Sequence, residues 1–555
     1  MEYWKIFRKA EKDGDIIELG VGSFGEVFKS GNIAEKKFND FYDSKYGLES
    51  STIGEFSILK KLDHPNIVHL LGSYYDLKNF YIYTPFAISD LASLIYRTKN
   101  SSGDQVSISK EKIKKYMYQI SSGLDYLHHN YIAHGDLNPG NVLVYLNDKL
   151  KIADFGMNRV LLDPNSFLQP KTSPYHQPPE LILLDDPIRY GMDIWQLGVI
   201  FLELKLEKNI FVPEKIVDFE YLDDKMLKNM LKIMGYPPEY IVDEVNDAYL
   251  DLIDKFYGKK STINKYNFTK DEMKLVDATI TWDPMDRLKI EQILSLSYFE
   301  SENKTKINIL TPKLSTLIPI SLIIPDLTDI NIKRRLDELL NGLNLIEDDK
   351  SFFLGVSLFD KILTLDQNKY IDPAYSWWCF YMANNIYQPN DREMWIEKTK
   401  NDGQINNNSP AVLKEIFDIL NYDILIHTFS NLIYEQYQNE VIDYTTLQIG
   451  IWILFALYLD INLLHEYNKH TILGLSTVLY LSSIVTSKNI IGFPKYDTQL
   501  IDKTLNAIKK YGLQSKYQLD RKKFIKSKIN IDISKYYNHI TSKELEKFIL
   551  DQLKT

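Results

Sequence analysis

Three side chains that can supply oxygen ligands to a metal ion or act as an acid or base lie close together along one stretch of the chain. Asp136 is followed five residues later by Asn141, and Asp154 lies thirteen residues beyond Asn141. Carboxylate and amide oxygens bind Mg²⁺, so Asn141 and Asp154 can hold a metal ion against phosphate oxygens. A carboxylate such as Asp136 can orient and deprotonate a hydroxyl group. The stretch therefore predicts metal-assisted transfer of a phosphoryl group to a hydroxyl.

A glycine-rich stretch near the N-terminus suits close approach to phosphates. Gly20, Gly22 and Gly25 fit the pattern G-x-G-x-x-G-x-V, with Ser23 inside the pattern and Val27 at its end. Glycine lets the backbone turn tightly and approach a phosphate without a clash from Cβ. Such turns are common, so the pattern gains its weight from the residues that follow it.

A lysine and a glutamate complete the set of charged candidates. Lys36 ends the run Ile33–Lys36, which has the form of a strand carrying a phosphate-binding lysine. Glu55 lies 19 residues further on, within the helical run Ile53–Leu62. Glu55 can pair with Lys36 and hold its ammonium toward the α- and β-phosphates. Taken singly, each residue would more often be a solvated surface charge.

The order of these motifs resembles that of eukaryotic protein kinases over residues 13–300, and cyclin-dependent kinases are the group they resemble most. Gly47–Leu59 is similar to the PSTAIRE helix of that group. The resemblance implies an α+β bilobal fold, ATP and Mg²⁺ as cofactors, and a Ser or Thr hydroxyl of a protein substrate as acceptor. Further matches follow in order: Asp154–Gly156 for D-F-G, Pro178–Glu180 for A-P-E, Asp193–Gly198, and Asp283–Arg287, whose Arg287 can pair with Glu180.

The resemblance also assigns roles around the nucleotide. Thr84 is the expected gatekeeper, and Phe86 and Ala87 form the hinge that binds adenine. The expected site residues are, for catalysis, Asp136, Lys36, Glu55 and Asn138; for nucleotide binding, Leu19, Gly20, Gly22, Ser23, Gly25, Val27, Ala34, Lys36, Thr84, Phe86, Ala87 and Leu143; and for the metal, Asn141 and Asp154.

One of these residues departs from the usual kinase pattern. Asn138 stands where Ser/Thr kinases usually have a lysine near the γ-phosphate. An amide can donate a hydrogen bond but brings no charge, and charge stabilisation is a large part of phosphoryl transfer. The alternative is therefore a weak or dead pseudokinase that acts as a binding module. Because the lysine, the glutamate and the metal-binding pair are all present, the sequence favours activity.

Regulation is also expected to differ from that of the resembling group. Three arginines hold an activating phosphothreonine there, and two of their positions carry Gly54 and Gly135, which leaves Arg159. The phosphoacceptor position falls at Leu168 or Gln169, and neither side chain can be phosphorylated. A phosphate dianion orders a loop only where cations converge on it, so we predict activity without activating phosphorylation.

The sequence after about residue 300 is helical by its apolar period, as in Phe352–Leu363, Pro373–Tyr387, Val412–Leu420 and Ile472–Val485. Ser351–Leu363 resembles the second helix of a cyclin box, and Glu415–Thr428 resembles the end of that box. Ala456–Leu463 and Leu473–Val485 resemble the opening of a second box. An unrelated docking domain remains the alternative for this half.

The cyclin resemblance implies an all-α cyclin-like domain over 329–515, with boxes at 329–438 and 439–515. A linker over 301–328 precedes it, and a Lys-rich segment over 516–555 follows it. At the positions where cyclins carry a kinase-contacting lysine and glutamate, this chain has Asn385 and Leu413. We expect the domain to act as an intramolecular partner that activates the kinase half.

Composition excludes several other classes of protein. With 75 acidic and 65 basic residues the net charge is -10, which argues against a nucleic-acid partner bound by bulk charge. A single cysteine, Cys379, excludes an intramolecular disulfide and a Cys-rich metal site. The most apolar run, Ile449–Leu459, is shorter than the roughly 20 residues that span a bilayer, and no secretion signal is recognisable. We expect an intracellular protein of the cytoplasm or nucleus, without a membrane partner.

Overall fold

The structure is a computed structural model of the chain. It describes residues 3–13, 15–22, 25–38, 50–77, 79–96, 107–130, 132–155, 159–160, 173–184, 190–212, 222–303, 349–365, 374–387 and 409–420, with isolated positions between 335 and 504. They form two compact units. One is drawn from Met1–Asp40, Gly54–Tyr75 and Asn79–Leu314, and the other from Phe41–Ile53, Asp76–Lys78 and Ser315–Thr555.

A five-stranded antiparallel sheet forms the N-terminal lobe of the first unit. The register places Lys36 opposite Val27 on one neighbouring strand and opposite Ile82 on the other. Successive side chains of a strand point to opposite faces, so Glu35 and Lys36 face different sides of the sheet. The strands, in the spatial order β1-β2-β3-β5-β4, are β1 Ile17–Gly22, β2 Gly25–Ser30, β3 Ile33–Phe38, β4 Gly72–Tyr75 and β5 Phe80–Pro85.

A helix that the sequence analysis did not anticipate covers one face of this sheet. Helix α1, Tyr3–Asp13, buries Phe7 completely, and the Phe7 ring lies 5.5 Å from that of Tyr83. The Arg8 guanidinium sits 4.7 Å over the ring of Tyr81. Tyr3 and Phe7 are four residues apart on one helical face, as an amphipathic surface helix requires.

Helix α2, Ser50–Leu59, carries Glu55. Ile53 and Phe56 on this helix are completely buried, and the Phe56 ring lies 4.6 Å from the ring of Phe80 on β5. The aromatic contact fixes the helix against the sheet that carries Lys36.

The rest of the first unit is a helical lobe with two small antiparallel sheets. Its core lies around α4 and α6, and α4 begins at Lys110 because the Ser109 side chain accepts a hydrogen bond from the Lys112 N–H. The helices are α3 Leu91–Tyr96, α4 Lys110–His129, α5 Pro179–Leu183, α6 Tyr190–Leu206, α7 Leu222–Met234, α8 Glu239–Val242, α9 Asp247–Asp254, α10 Lys270–Thr279, α11 Ile290–Leu294 and α12 Glu300–Asn303. The strands are β6 Ser89–Asp90, β7 Ile132–Ala133, β8 Val142–Tyr145, β9 Lys149–Ile152 and β10 Arg159–Val160, with β6-β8-β9 and β7-β10 as the two sheets.

The described part of the second unit is mainly helical. Its helices are α13 Asp349–Leu365, α14 Ala374–Tyr387 and α15 Ser409–Ile419. Helices α13 and α14 pack closely at Gly355. A Cβ placed on Gly355 would lie only 2.2 Å from the ring of Phe380. Arg335 and Asp360 form a buried ion pair with N–O distances of 2.6 Å.

The bilobal α+β architecture predicted for the first half is confirmed. In the second half, the helices predicted over Phe352–Leu363, Pro373–Tyr387 and Val412–Leu420 are present as α13, α14 and α15. Apart from Val478, the helix predicted over Ile472–Val485 lies outside the described residues. The cyclin-like character of this half and the domain boundaries stay predictions.

Candidate active site

The ammonium group of Lys36 lies between two carboxylates from different parts of the first half. Its Nζ is 2.8 Å from Glu55 Oε2 and 3.0 Å from Glu55 Oε1. It also lies 3.1 Å from Asp154 Oδ1, although Asp154 is 118 positions away in the sequence. The predicted pairing of Lys36 with Glu55 is therefore present, and β3, α2 and the end of β9 meet at one point.

The electrostatics of this cluster depend on burial. Glu55 is only 2% exposed, and a carboxylate so far from water needs a cationic partner. Burial alone would lower the pKa of Lys36, but the carboxylates of Glu55 and Asp154 outweigh it and hold the pKa above its ordinary value. Lys36 therefore keeps its positive charge, and Glu55 and Asp154 set its position.

Asp136 is oriented at both of its carboxylate oxygens. The Ser173 N–H donates to Oδ1 at 2.7 Å, and Asn141 Nδ2 donates to Oδ2 at 3.0 Å. Asn141 Nδ2 also donates to the Asp136 backbone carbonyl at 2.8 Å. These contacts fix the carboxylate against rotation, which suits a group that accepts a proton from a positioned hydroxyl.

Helix α6 anchors the loop that carries Asp136. The completely buried carboxylate of Asp193 accepts the backbone N–H of His134 and of Gly135, each at 2.9 Å, and it pairs with His128 Nε2 at 2.8 Å. Gly135 has a φ of +79°, a conformation that glycine adopts without strain. Gly135 therefore suits the sharp turn immediately before Asp136.

The two predicted metal ligands, Asn141 and Asp154, are brought together at the end of β9. The Ala153 N–H donates to the Asn141 backbone carbonyl at 2.9 Å, which places Asp154 beside the turn that carries Asn141. Because Asn141 uses its Nδ2 on Asp136, its Oδ1 is the atom suited to a cation. Asp154 has a φ of +63°, a strained conformation for a residue with a Cβ. One amide oxygen and one carboxylate fit the oxygen donors that Mg²⁺ takes.

Most of the nucleotide-binding candidates lie on the strands of the sheet that carries Lys36. Gly25 admits no side chain, because a Cβ there would lie 2.1 Å from the Lys37 carbonyl oxygen. Ala34 on β3 pairs with Thr84 on β5, and the Phe86 N–H donates to the Asn32 carbonyl at 2.9 Å, which fixes the start of the hinge. The remaining candidates are Leu19, Gly20 and Gly22 on β1, Val27 on β2, Lys36 on β3, Ala87 just after Phe86, and Leu143 on β8.

The predicted ion pair between Glu180 and Arg287 is also present. Two parallel hydrogen bonds of 2.7 Å join the guanidinium and the carboxylate, and both residues are buried. Arg287 also donates to the carbonyls of Gly191 and Thr281. A bidentate pair of this kind holds the start of α5 in a defined place.

The family comparison agrees with this geometry. Residues 15–299, a little more than half of the 555, match the protein kinase domain family. The chain belongs to the protein kinase family. Kinases use ATP and Mg²⁺ in general and act on protein substrates, so the residues around Lys36 form the candidate phosphotransfer site of this kinase.

The kinase half is also similar to a curated kinase. The chain is 28% identical over 294 residues to cyclin-dependent kinase D-1 of Arabidopsis thaliana, across 51% of this chain and 70% of the relative. The aligned region is about the length of the kinase domain. No helix in the described part of this kinase is long and apolar enough to cross a membrane.

Some expected residues lie outside the described part of the kinase. Ser23 is one of them, as are the phosphoacceptor positions Leu168 and Gln169. The backbone of Arg159 is described on β10, but its side chain is not. The expected lack of a phosphorylation switch therefore stays a prediction.

Asn138 has a defined role within its own loop. Its Oδ1 accepts the N–H of Gly140 at 2.9 Å and that of Asn141 at 3.3 Å, which caps the turn Pro139–Asn141. Its Nδ2 donates to the Asp136 carbonyl at 3.1 Å. The side chain thus supports both Asp136 and the metal-ligand candidate Asn141, and its expected part in catalysis stays a prediction.

Sequence reasoning missed two polar clusters of the kinase half. One connects Ser173 to His176 and Glu203. The positions of these residues along the sequence, including the spacing between Asp136 and Ser173, gave no indication of the contact. The other joins His129 to Asp125 on α4 and to Glu291 on α11, with ligand atoms within 4.8 Å of one another. A hydrogen bond with Asp125 raises the pKa of His129 to about 9, so the ring carries a positive charge at neutral pH and forms an ion pair with these carboxylates.

Proposed function

We propose that this protein is an ATP- and Mg²⁺-dependent Ser/Thr protein kinase that its own cyclin-like second half keeps active. The observation that carries the catalytic part is the contact group of Lys36, Glu55 and Asp154. A lysine paired with a helix glutamate beside the metal-binding aspartate is the arrangement required for phosphoryl transfer from ATP.

Lys36 is the proposed contact for the α- and β-phosphates. Its side chain is 17% exposed, so a phosphate can reach the ammonium while Glu55 holds it from the buried side. Mg²⁺ at Asn141 and Asp154 would neutralise charge on the phosphates. Asp154 therefore has two tasks, as a partner of Lys36 and as a ligand of the metal.

Asp136 is the proposed acceptor of the substrate hydroxyl proton. Ser173 donates to one of its oxygens and Asn141 to the other, so the carboxylate keeps one orientation before a substrate binds. A group held in this way loses little entropy when the Ser or Thr hydroxyl arrives, which favours transfer over a freely rotating acid.

Activation in cis rests on Glu55 and on the resemblance of the second half to cyclins. The pair with Lys36 forms only while α2 holds Glu55 beside β3, and the resembling kinases use a cyclin to hold that helix. A tether of roughly 30 residues gives an effective concentration in the mM range, so a separate cyclin becomes unnecessary.

The second candidate is a pseudokinase that binds partners of kinases without phosphotransfer. Asn138 favours it, because an uncharged amide stands at the lysine position and is used to cap its own loop. This candidate keeps nucleotide binding at Lys36 and loses the transition-state charge that a lysine supplies.

The experiment is phosphorylation of a protein substrate by purified full-length chain with Mg·ATP and no added cyclin. We expect transfer that needs Mg²⁺, disappears in Asp154→Ala and is linear in protein concentration, because the activator is part of the same chain. Nucleotide binding without any transfer would favour the pseudokinase. Transfer that appears only with an added cyclin would contradict activation in cis.

A further inference from the structure

We propose that His176 is a positioning residue for phosphotransfer, which keeps the Ser173 N–H on Asp136 by bridging Ser173 to the buried carboxylate of Glu203. The inference rests on the proposed kinase function and adds a residue to which no role in catalysis has been assigned above. His176 itself does not touch Asp136, so its effect would pass through the turn that begins at Ser173.

The hydrogen bond from the Ser173 N–H to Asp136 is the contact through which His176 would affect phosphotransfer. The donor is a backbone N–H, which lies 2.7 Å from Asp136 Oδ1. A backbone donor moves only when its segment moves. The position of residues 173–176 therefore sets the orientation of Asp136.

His176 holds this segment in place through its backbone and its side chain. It closes the short turn Pro174–His176, in which the His176 N–H donates to the Ser173 carbonyl at 3.0 Å. Its side chain is buried, with Nδ1 3.4 Å from Ser173 Oγ and Nε2 3.2 Å from Glu203 Oε2. One ring thus links the turn that holds Asp136 to the C-terminal end of α6.

The partner carboxylate determines how the ring must be protonated. Ionised Glu203 can only accept hydrogen bonds, so His176 Nε2 carries the proton that joins them. Glu203 is 2% exposed, and its other oxygen accepts the Tyr96 hydroxyl at 2.8 Å. A carboxylate buried this deeply needs both donors, which gives the His176–Glu203 bond its strength.

Three substitutions separate the two contacts of the ring. His176→Gln keeps an N–H donor near the position of Nε2, His176→Asn keeps a polar group only near Nδ1, and His176→Phe keeps the ring volume without either. If the bond to Glu203 positions the turn, kcat should fall about tenfold in the Phe and Asn variants and recover to within about threefold of wild type in the Gln variant. KM for ATP should stay within about twofold in all three, because the contacts of Lys36 lie elsewhere.

Amide hydrogen exchange supplies a readout that does not require catalysis. Exchange of the segment 173–178 should be faster in His176→Phe and near wild type in His176→Gln, with the rest of the lobe unchanged. If wild type transfers no phosphate, the proposed function fails, and exchange alone decides whether His176 holds the turn. His129→Gln, which removes another histidine–carboxylate pair of this lobe, is the matched control and should change neither readout.

Two results would overturn the proposal. One is exchange of residues 173–178 that is the same in the Phe variant as in wild type. The other is a loss of kcat in which the Gln and Phe variants are equal, which would assign the effect to ring packing. If His176→Phe unfolds, the double variant His176→Phe with Glu203→Leu removes the unpaired charge, and fast exchange at 173–178 is still expected in the refolded protein.

Discussion

The two halves of the molecule each contain a buried ion cluster, and the clusters differ in access to solvent. In the kinase half the side chains of Lys36 and Asp154 are 17% and 32% exposed. In the second half Arg335 and Asp360 are 1% and 4% exposed, and Arg335 also donates to the Tyr458 carbonyl at 3.1 Å. The first, open cluster (Lys36, Glu55 and Asp154) leaves room for a ligand. The second, sealed cluster (Arg335 and Asp360) uses its donors inside the fold. Exposure, rather than the presence of charges, separates the candidate active site from a structural pair.

A substitution in the candidate active site should abolish function without unfolding the protein, and Asp136, held by Ser173 and Asn141, is the residue to test. Asp136→Asn keeps the size of the side chain and removes the proton acceptor, so the phosphotransfer rate should fall by a factor on the order of 10²–10⁴. The melting temperature should stay near that of wild type, because Asp136 is only partly buried. Steady-state kinetics and calorimetry on the full chain measure both quantities.

A matched control for this variant is Asp271→Asn. Asp271 lies on α10, and its side chain is 49% exposed, so its loss should leave the rate unchanged. Wild-type activity in Asp136→Asn would show that transfer takes place elsewhere and would remove the distinction between the two clusters.

The sealed cluster should behave in the opposite way. Arg335→Met leaves the Asp360 carboxylate buried and unpaired, which typically costs about 3–5 kcal/mol of unfolding free energy. Urea unfolding of the full chain should show this loss in the transition of the second half. The double variant Arg335→Met with Asp360→Leu should recover most of it, because no unpaired charge remains.

The same variant also tests activation in cis. If the second half holds Glu55 in place, phosphotransfer should fall in Arg335→Met under conditions in which the kinase half remains folded. An unchanged rate after unfolding of the second half would show that the kinase half is active alone.

Sequence motifs were enough to find the open cluster but not the sealed one. Lys36, Glu55 and Asp154 belong to a family pattern whose order survives large sequence separations, and the structure brings them into contact. Arg335 carries no such pattern. Its partners Asp360 and Tyr458 lie 25 and 123 positions away, and only the packing of helices brings them together.

The sequence analysis missed two other features, for different physical reasons. Helix α1 does show an apolar spacing through Tyr3, Phe7 and Ala10, but its many charges hid this spacing. The contact of His176 with Glu203 gives no local signal, because a buried polar pair is defined by tertiary geometry alone. Periodicity and family motifs thus predicted several helices and the ion pairs Lys36–Glu55 and Glu180–Arg287, whereas polar contacts that belong to no family motif could not be predicted.

Helix packing offers a smaller test in the second half. Gly355→Ala would place a methyl group 2.2 Å from Phe380 Cδ1, and the clash should cost about 1–3 kcal/mol in urea unfolding. Phe380→Leu in the same chain should relieve part of the cost, because it removes the ring that the methyl meets. Equal stability of Gly355→Ala and wild type would mean that α13 and α14 pack less closely than the structure places them.

The smallest expected effect is a pH dependence of stability in the kinase half. The hydrogen bond that His129 donates to Asp125 and the charge of Glu291 raise the pKa of His129 from 6.5 to about 9, against the opposing effect of burial. Because the folded-state pKa is the higher one, the stabilisation is fully present below about pH 6.5 and is lost as pH rises through 9. The melting temperature of the kinase half should therefore fall between pH 7 and 9.5, and His129→Gln should flatten this slope while lowering stability at pH 7. A slope that is the same in both proteins would assign the pH dependence to other groups and leave His129 as a solvated surface contact.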